Sequence, residues 1–421
     1  MATIDHLRAL EILDSRGRPT LKVWCRLSGG AEAAASVPSG ASTGRAEALE
    51  LRDGDPQRYG GLGCRKAVKN VNKIIASAMA GRRFASQEAL DRCLVDLDGT
   101  PAKSALGANA LLGVSLAYAR AEALERGVPL FAHFADLAGK TVRTLPRVTI
   151  NLFSGGKHAG GQVAIQDVLM VPVSARTVAD SLAMAYAVYQ SASRLTGSRY
   201  GVRPLKADEG GLAPPFPDTE AMLADAVESI EAAGLKPGAD MALAVDVASS
   251  HFYGNGLYEI DGERRSSEAM ITLLEGWAER YPIVSIEDGL AENDWEHWPQ
   301  LCRRLRSRCL VLGDDFLCTN PVRIQRAVAG ECATALLLKV NQIGTLTEAA
   351  HAAHLAREAG WQMTVSARSG ETEDDWLADL AVGWGGHQIK IGSITQSERL
   401  AKYNRLLEIE AQSPLPLVYW P

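Results

Sequence analysis

Acids and lysines in this sequence stand repeatedly at the end of short apolar runs. MALAV ends in Asp246, VSI in Glu287-Asp288, LVLG in Asp314-Asp315, ALLL in Lys339 and HQI in Lys390, while MTVSA leads to Arg368-Ser369. If these runs are strands of one barrel, their carboxyl ends converge on a single face, where an active site belongs. Asp246, Glu287 and Asp314 would then meet as three carboxylates. Bare anions in one cleft repel, so a cation must accompany them, and an all-oxygen donor set favours Mg2+. Asp288 and Asp315 fit the plainer role of helix N-caps. Lys339 and Lys390, brought together, should depress each other's pKa. A lysine so tuned can act as a general base near neutral pH. A surface salt bridge is the plain alternative, and a position directly after ALLL suits it poorly.

Two further motifs could complete such a site. DEGG at 208–211 offers Glu209 as a general acid facing a lysine across the pocket, although DEGG alone reads as a turn. GGKHAGG at 155–161 places His158 in a glycine-rich loop that could close over a substrate and exclude water. A loop histidine in isolation is more often simply solvated.

Positioning these residues needs a repeated framework. From about residue 147, apolar runs at 241–245, 283–286, 309–312, 335–338, 363–365 and 388–389 alternate with helical-length segments at 218–233, 267–280, 345–359 and 397–411. Repeated β-α units imply a parallel sheet, and their number favours a closed β/α barrel over an open doubly wound sheet. The first part differs. It has strands at 21–27 and 32–37 and helices at 64–79, 87–97 and 105–126, which predicts a smaller α+β domain. The expected division is 1–137 and 138–421, with a linker around 138–146.

The chain's 421 residues accommodate both parts. A formal net charge of −6 without a long basic run makes nucleic acid an unexpected partner. The N-terminal residues lack an apolar signal core, and no apolar stretch suffices for a membrane span. Seven scattered cysteines without a CxxC pair suit a reducing cytoplasm. No P-loop or dinucleotide fingerprint appears.

Several motifs together resemble the enolase family. They are DSRGRPT from Asp14, VPSGASTG from Val37, EALELRDGD from Glu47, LGANALLGVSLA from Leu106, GGKHAGG and DEGG. SIED from Ser285, GDD from Gly313, LLLKVNQIGTLTEA from Leu336, RSGETED from Arg368 and QIKIGSITQSERLAKYNRLL from Gln388 complete the set. The resemblance implies an α/β chain whose barrel begins with an antiparallel variation, and reversible dehydration of 2-phosphoglycerate to phosphoenolpyruvate. It also implies two Mg2+ ions, the second dependent on substrate. Asp246, Glu287 and Asp314 would hold the first ion, and Ser39 would meet the second when its loop closes. Lys339 would remove the C2 proton, Lys390 would face the substrate carboxylate, and Glu209 would protonate the departing hydroxyl. His158, Arg368 and Ser369 would hold the phosphate.

Two positions depart from the family pattern. The family's SHRSGETED reads SARSGETED here, with Ala367 for a histidine. The family's QEF reads Gln166-Asp167-Val168, with Asp167 one methylene shorter than glutamate. GAPARSERL also becomes GSITQSERL, with Gln396 for an arginine. Both altered pocket positions belong, by resemblance, to the end that handles the hydroxyl. Three readings follow. One is a hydratase with a rebuilt leaving-group side. Another is an enolase-like enzyme of the carboxyphosphonoenolpyruvate synthase kind, taking a nucleotide-activated phosphonate as second substrate. The third is a non-catalytic binding protein, which the intact lysines and acids oppose. Family dimer contacts map to Lys22 and Glu408, with charges exchanged, and to apolar Leu10 and Ala187, so a homodimer is expected.

Overall fold

The computed structural model describes residues 2–41, 44–203 and 205–419. Ser42 and Thr43 of the VPSGASTG motif lie outside the described residues. In the first domain β1 (Ala2–Leu13), β2 (Pro19–Leu27) and β3 (Glu32–Ser36) form an antiparallel sheet in the order β3-β2-β1, with the short β4 (Arg83–Phe84) on the free side of β1. Strand β1 was not foreseen, because Asp5, His6 and Arg8 obscure its alternation. The helix expected over 64–79 is one continuous rod with a π-helical turn, Asn70–Ile75, between Arg65–Lys69 and Ala76–Met79. Helices Gln87–Asp98, Ala108–Arg126 and Leu130–Leu137 follow. The Ala108–Arg126 helix is almost wholly buried and packs on β2 and β3. Gly113 permits that approach, since a Cβ there would lie 2.5 Å from Val23 Cγ2.

The second part is a closed barrel of β5 (Arg147–Ser154), β6 (Asp167–Pro172), β7 (Met241–Asp246), β11 (Ile283–Glu287), β12 (Leu310–Gly313), β13 (Ala335–Leu338), β14 (Gln362–Ser366) and β15 (Gln388–Gly392). Three short strands, β8 (Tyr253–Gly254), β9 (Leu257–Ile260) and β10 (Glu263–Arg265), form a separate small sheet after β7. Strand β6 runs antiparallel to both neighbours, whereas the other barrel pairings are parallel. Its reversed direction has a chemical consequence. The first residue of β6, Asp167, pairs in register with the last residue of β7, Asp246, which also pairs with Glu287 of β11. Three acids from three strands therefore reach one rim.

The outer helices include Val178–Tyr200, Thr219–Ala232, Ser267–Arg280, Leu346–Glu358 and Ser397–Gln412. The first of these was missed. Its alanines, serines and glycine give little amphipathic contrast, although Thr177 caps it by accepting from the Asp180 N–H at 2.9 Å. All seven cysteines are free thiols. No helix among the described residues is long and apolar enough to cross a membrane.

Candidate active site

Asp246 and Glu287 close their strands, Asp314 and Lys339 directly follow β12 and β13, and Arg368 lies two residues past β14. Lys390 lies inside β15 rather than after it, because that strand continues to Gly392. Lys390 Nζ donates to Asp246 Oδ2 at 2.8 Å and to Glu287 Oε2 at 2.7 Å. Lys339 Nζ is paired with Asp314 Oδ2, and Gln342 Nε2 donates to Asp314 Oδ1 at 2.9 Å. Gln166 Nε2 donates to Asp246 Oδ2 at 3.0 Å.

These lysine–carboxylate pairs work against the expected mutual depression of the two lysines. Burial works against the charge on Lys339, but the carboxylates around it, Asp314 foremost and Glu287 with it, together hold the pKa above the ordinary lysine value. Lys390 is likewise buried, and Asp246 and Glu287 hold it well above. Lys390 does lower Lys339, but the carboxylates prevail at both lysines. Burial raises Asp246 too, and Lys390 overcomes this to leave it below the ordinary aspartate value. Glu287 goes well above its usual range through burial and the neighbouring Asp246 charge.

A second cluster sits beside the first. His158 Nδ1 lies 2.9 Å from Asp167 Oδ2, and His158 Nε2 lies 3.8 Å from Glu209 Oε1. Ser154 donates to Asp167 Oδ1 at 2.6 Å, and Asn151 Nδ2 donates to Glu209 Oε2 at 3.1 Å. His158 is not a solvated loop residue. It ends a short 3-10 turn, Gly156–His158, and is 8% exposed. Burial works against its charge, but Asp167 and Glu209 push its pKa up to about 9. Burial raises Glu209, and the His158, Arg399 and lysine charges bring it below the usual glutamate value. Burial dominates at Asp167 and leaves it raised.

Arg368 is already occupied. It donates to Glu47 Oε2 at 3.1 Å, to Glu47 Oε1 at 3.2 Å and to Asn341 Oδ1 at 3.0 Å. Ser369 Oγ accepts from Arg16 at 3.0 Å. Ser39 is fully buried. Its hydroxyl accepts from Arg52 at 2.7 Å and donates to Glu50 at 3.2 Å, and its backbone bridges to Gly370. A cavity joins most of these groups, lined by Ala41, His158, Gln166, Glu209, Asp246, Lys339, Lys390 and the Ser366–Ser369 segment. Ala367 thus faces the pocket, while Ser39 does not line it. A wider cleft of about 660 Å³ opens alongside, between the glycine-rich loop and the β9–β10 turn.

Several supporting residues were missed or misread. Asp288 does not cap the following helix. Its carboxylate accepts from the Asp314 N–H at 2.9 Å and the Asp315 N–H at 2.8 Å, which fixes the neighbouring strand end. Arg399, fully buried, donates to the carbonyls of Arg368 (2.6 Å), Ile391 (3.0 Å) and Ser369 (2.6 Å). It passes so close to Gly392, at φ +125°, that a Cβ there would lie 2.8 Å from Arg399 Cδ. Gln396, at φ +72°, ends outside the cavity lining and donates to the Ala207 carbonyl at 3.3 Å. No single residue signals these roles in sequence, although Glu47 and Arg399 lie within the family-like motifs.

The three carboxylates fit a hard divalent ion. Their donors are all oxygen, and Glu287 Oε1 is buried without a hydrogen-bond partner among the described residues. A cation would satisfy that oxygen and replace the lysines as counter-charge. The tightest metal-capable group, however, is the other cluster: His158, Asp167 and Glu209 offer donors within 4.8 Å of one another.

Comparison with known proteins places this architecture. The family model described as "Enolase, N-terminal domain" matches residues 4–134, and "Enolase, C-terminal TIM barrel domain" matches residues 142–416. "Enolase 1" of Methylococcus capsulatus is 47% identical over 414 residues, covering 97% of each chain. "Enolase" of Desulfotalea psychrophila is 46% identical over 423 residues, covering 99% of each. With both domain families matched in order and near-full-length relatives at this identity, the chain belongs to the enolase family, as a lyase of the phosphopyruvate hydratase type.

Proposed function

We propose that this protein dehydrates 2-phosphoglycerate to phosphoenolpyruvate, reversibly and with Mg2+. The observation that carries this reading is one cavity lined by Lys339, Lys390, Asp246 and Glu209. Asp246, Glu287 and Asp314 would hold the first ion, and Ser39 the second once substrate is present. Bound there, Mg2+ would stabilise the negative charge that develops on the substrate carboxylate.

The chain's own residues divide the remaining work. Lys339, which would be freed from Asp314 where that carboxylate holds the ion, takes the C2 proton, and the electron pair of the C2–H bond becomes the C2–C3 double bond. The C3–oxygen bond breaks, and the hydroxyl leaves as water with a proton from Glu209. His158 and Asp167 hold protons beside Glu209 and orient it. Lys390 faces the substrate carboxylate with its positive charge. Arg368 and Ser369, with His158, hold the phosphate, and Arg368 exchanges Glu47 for it. Gln166 holds Asp246 in place.

Asp167 and Ala367 give this site its own leaving-group side. Asp167 keeps two hydrogen-bonded partners despite its shorter side chain, and Ala367 puts a methyl group on the pocket wall where the family pattern has a histidine. The relatives' names support the hydratase reading and lend none to transfer of a nucleotide-activated phosphonate. We also propose a homodimer, supported by exposed Leu10 (55%) and Leu13 (52%) on β1.

The direct test follows the ultraviolet absorbance of the enol phosphate after 2-phosphoglycerate is added with Mg2+. Turnover that stops on chelation supports the proposal. Absent turnover with Mg2+-dependent substrate binding intact would favour altered chemistry instead.

A further inference from the structure

We infer that His158 and Glu209, with Asp167 behind the imidazole, form a further metal site, selective for a borderline divalent cation such as Zn2+ and separate from the all-oxygen Mg2+ set. The three residues are buried, and their donor atoms lie within 4.8 Å of one another. His158 Nε2 and Glu209 Oε1, 3.8 Å apart, face each other. Two donors on one zinc ion, each bonded at about 2.1 Å, are separated by a little over 3 Å in a tetrahedral arrangement. A shift of a few tenths of an ångström would therefore bring both onto one ion.

The other imidazole nitrogen supports the same reading. Nδ1 lies 2.9 Å from Asp167 Oδ2, and Ser154 in turn donates to Asp167 Oδ1. A carboxylate behind a histidine fixes the ring's tautomer and direction, and this is the usual outer support of a zinc-bound imidazole. Here it leaves Nε2 as the nitrogen turned toward Glu209.

An independent observation points to a ligand. Gln166 is 5% exposed and lines the same cavity as His158 and Glu209, and its Oε1 has no hydrogen-bond partner among the described residues. A buried carbonyl oxygen is costly to leave unpaired. Bound zinc, or a water on it, would satisfy this oxygen. The mixed nitrogen and oxygen donors select against Mg2+, which prefers oxygen and keeps its waters.

The test is equilibrium dialysis of the full-length protein against Zn2+ in saturating Mg2+, without substrate. Wild-type protein should retain zinc, whereas His158→Gln and Glu209→Gln should each weaken retention by more than about tenfold, the least that loss of even an outer-shell partner costs. Asp246→Asn, which impairs the all-oxygen set, should leave retention intact. Zinc retention lost in Asp246→Asn but unchanged in His158→Gln would overturn the inference, because the zinc would then occupy the Mg2+ ligands. Anomalous scattering from zinc-soaked wild-type crystals decides the matter without variants. A peak between His158 and Glu209 supports the site, and zinc only at Asp246, Glu287 and Asp314 refutes it. Because binding is the readout, either result is independent of whether the protein dehydrates 2-phosphoglycerate.

Discussion

Glu47 grips Arg368 through both carboxylate oxygens, at 3.1 and 3.2 Å, and so ties the first domain to the barrel rim. The side chains are 8% and 3% exposed. Removing one partner of a buried pair strands the other charge. Glu47→Gln should therefore lower unfolding free energy by about 3 kcal/mol in denaturant titration. Combining it with Arg368→Met should cost less than the two single losses added together. Strict additivity would show that the pair is not coupled.

Mg2+ should stabilise the folded protein through the three carboxylates. An ion present at about a hundred times its dissociation constant adds roughly 2.7 kcal/mol, which appears as a rise in melting temperature. Asp246→Asn removes a ligand and should abolish most of that rise. An equal rise in the variant would place the ion elsewhere.

Arg399 is expected to act as a positioning residue, because it holds three carbonyls at the ends of β14 and β15. Arg399→Lys keeps the charge but lacks the planar fork that spans them. The Arg368–Ser369 segment should then loosen and raise KM for the substrate, with kcat/KM falling by about a hundredfold, as small misplacements do. An unchanged KM in a well-folded variant would leave Arg399 a purely structural part.

His133 offers a pH test far from the site. Burial and the nearby Arg126 push its pKa down to about 4. The folded state thus binds fewer protons than the unfolded state between about pH 6.5 and 4. Its neutral form is accommodated above that window, and stability falls as pH drops through it, by up to roughly 3 kcal/mol at the acid end. His133→Gln should flatten this part of the stability profile in denaturant titrations. A variant profile with the wild-type slope would contradict the assignment.

Sequence made the barrel legible because charge follows apolar runs abruptly. The runs at 241–245, 335–338 and 363–365 needed no more than period and punctuation. The first two barrel strands were harder. β5 and β6 are buried on both faces and show no alternation, so only the family resemblance suggested the antiparallel start. Within the site, the gathering of Lys339, Lys390 and Glu209 at one cavity was readable, but their charge partners were not. Lysine–carboxylate pairing depends on which strands adjoin, and sequence alone does not set that register. Asp288 shows the same limit. A residue that looks like a helix cap instead holds the backbone of the next strand.

In the proposed reaction Lys339 removes the proton from C2 of a bound phosphoglycerate. The most direct measurement is exchange of that hydrogen for deuterium in heavy water, followed by proton magnetic resonance with Mg2+ present. The role given to Lys339 requires exchange with wild-type protein and with Glu209→Gln, which blocks departure of the hydroxyl, and none with Lys339→Ala. Exchange that persists in folded, Mg2+-binding Lys339→Ala would contradict it.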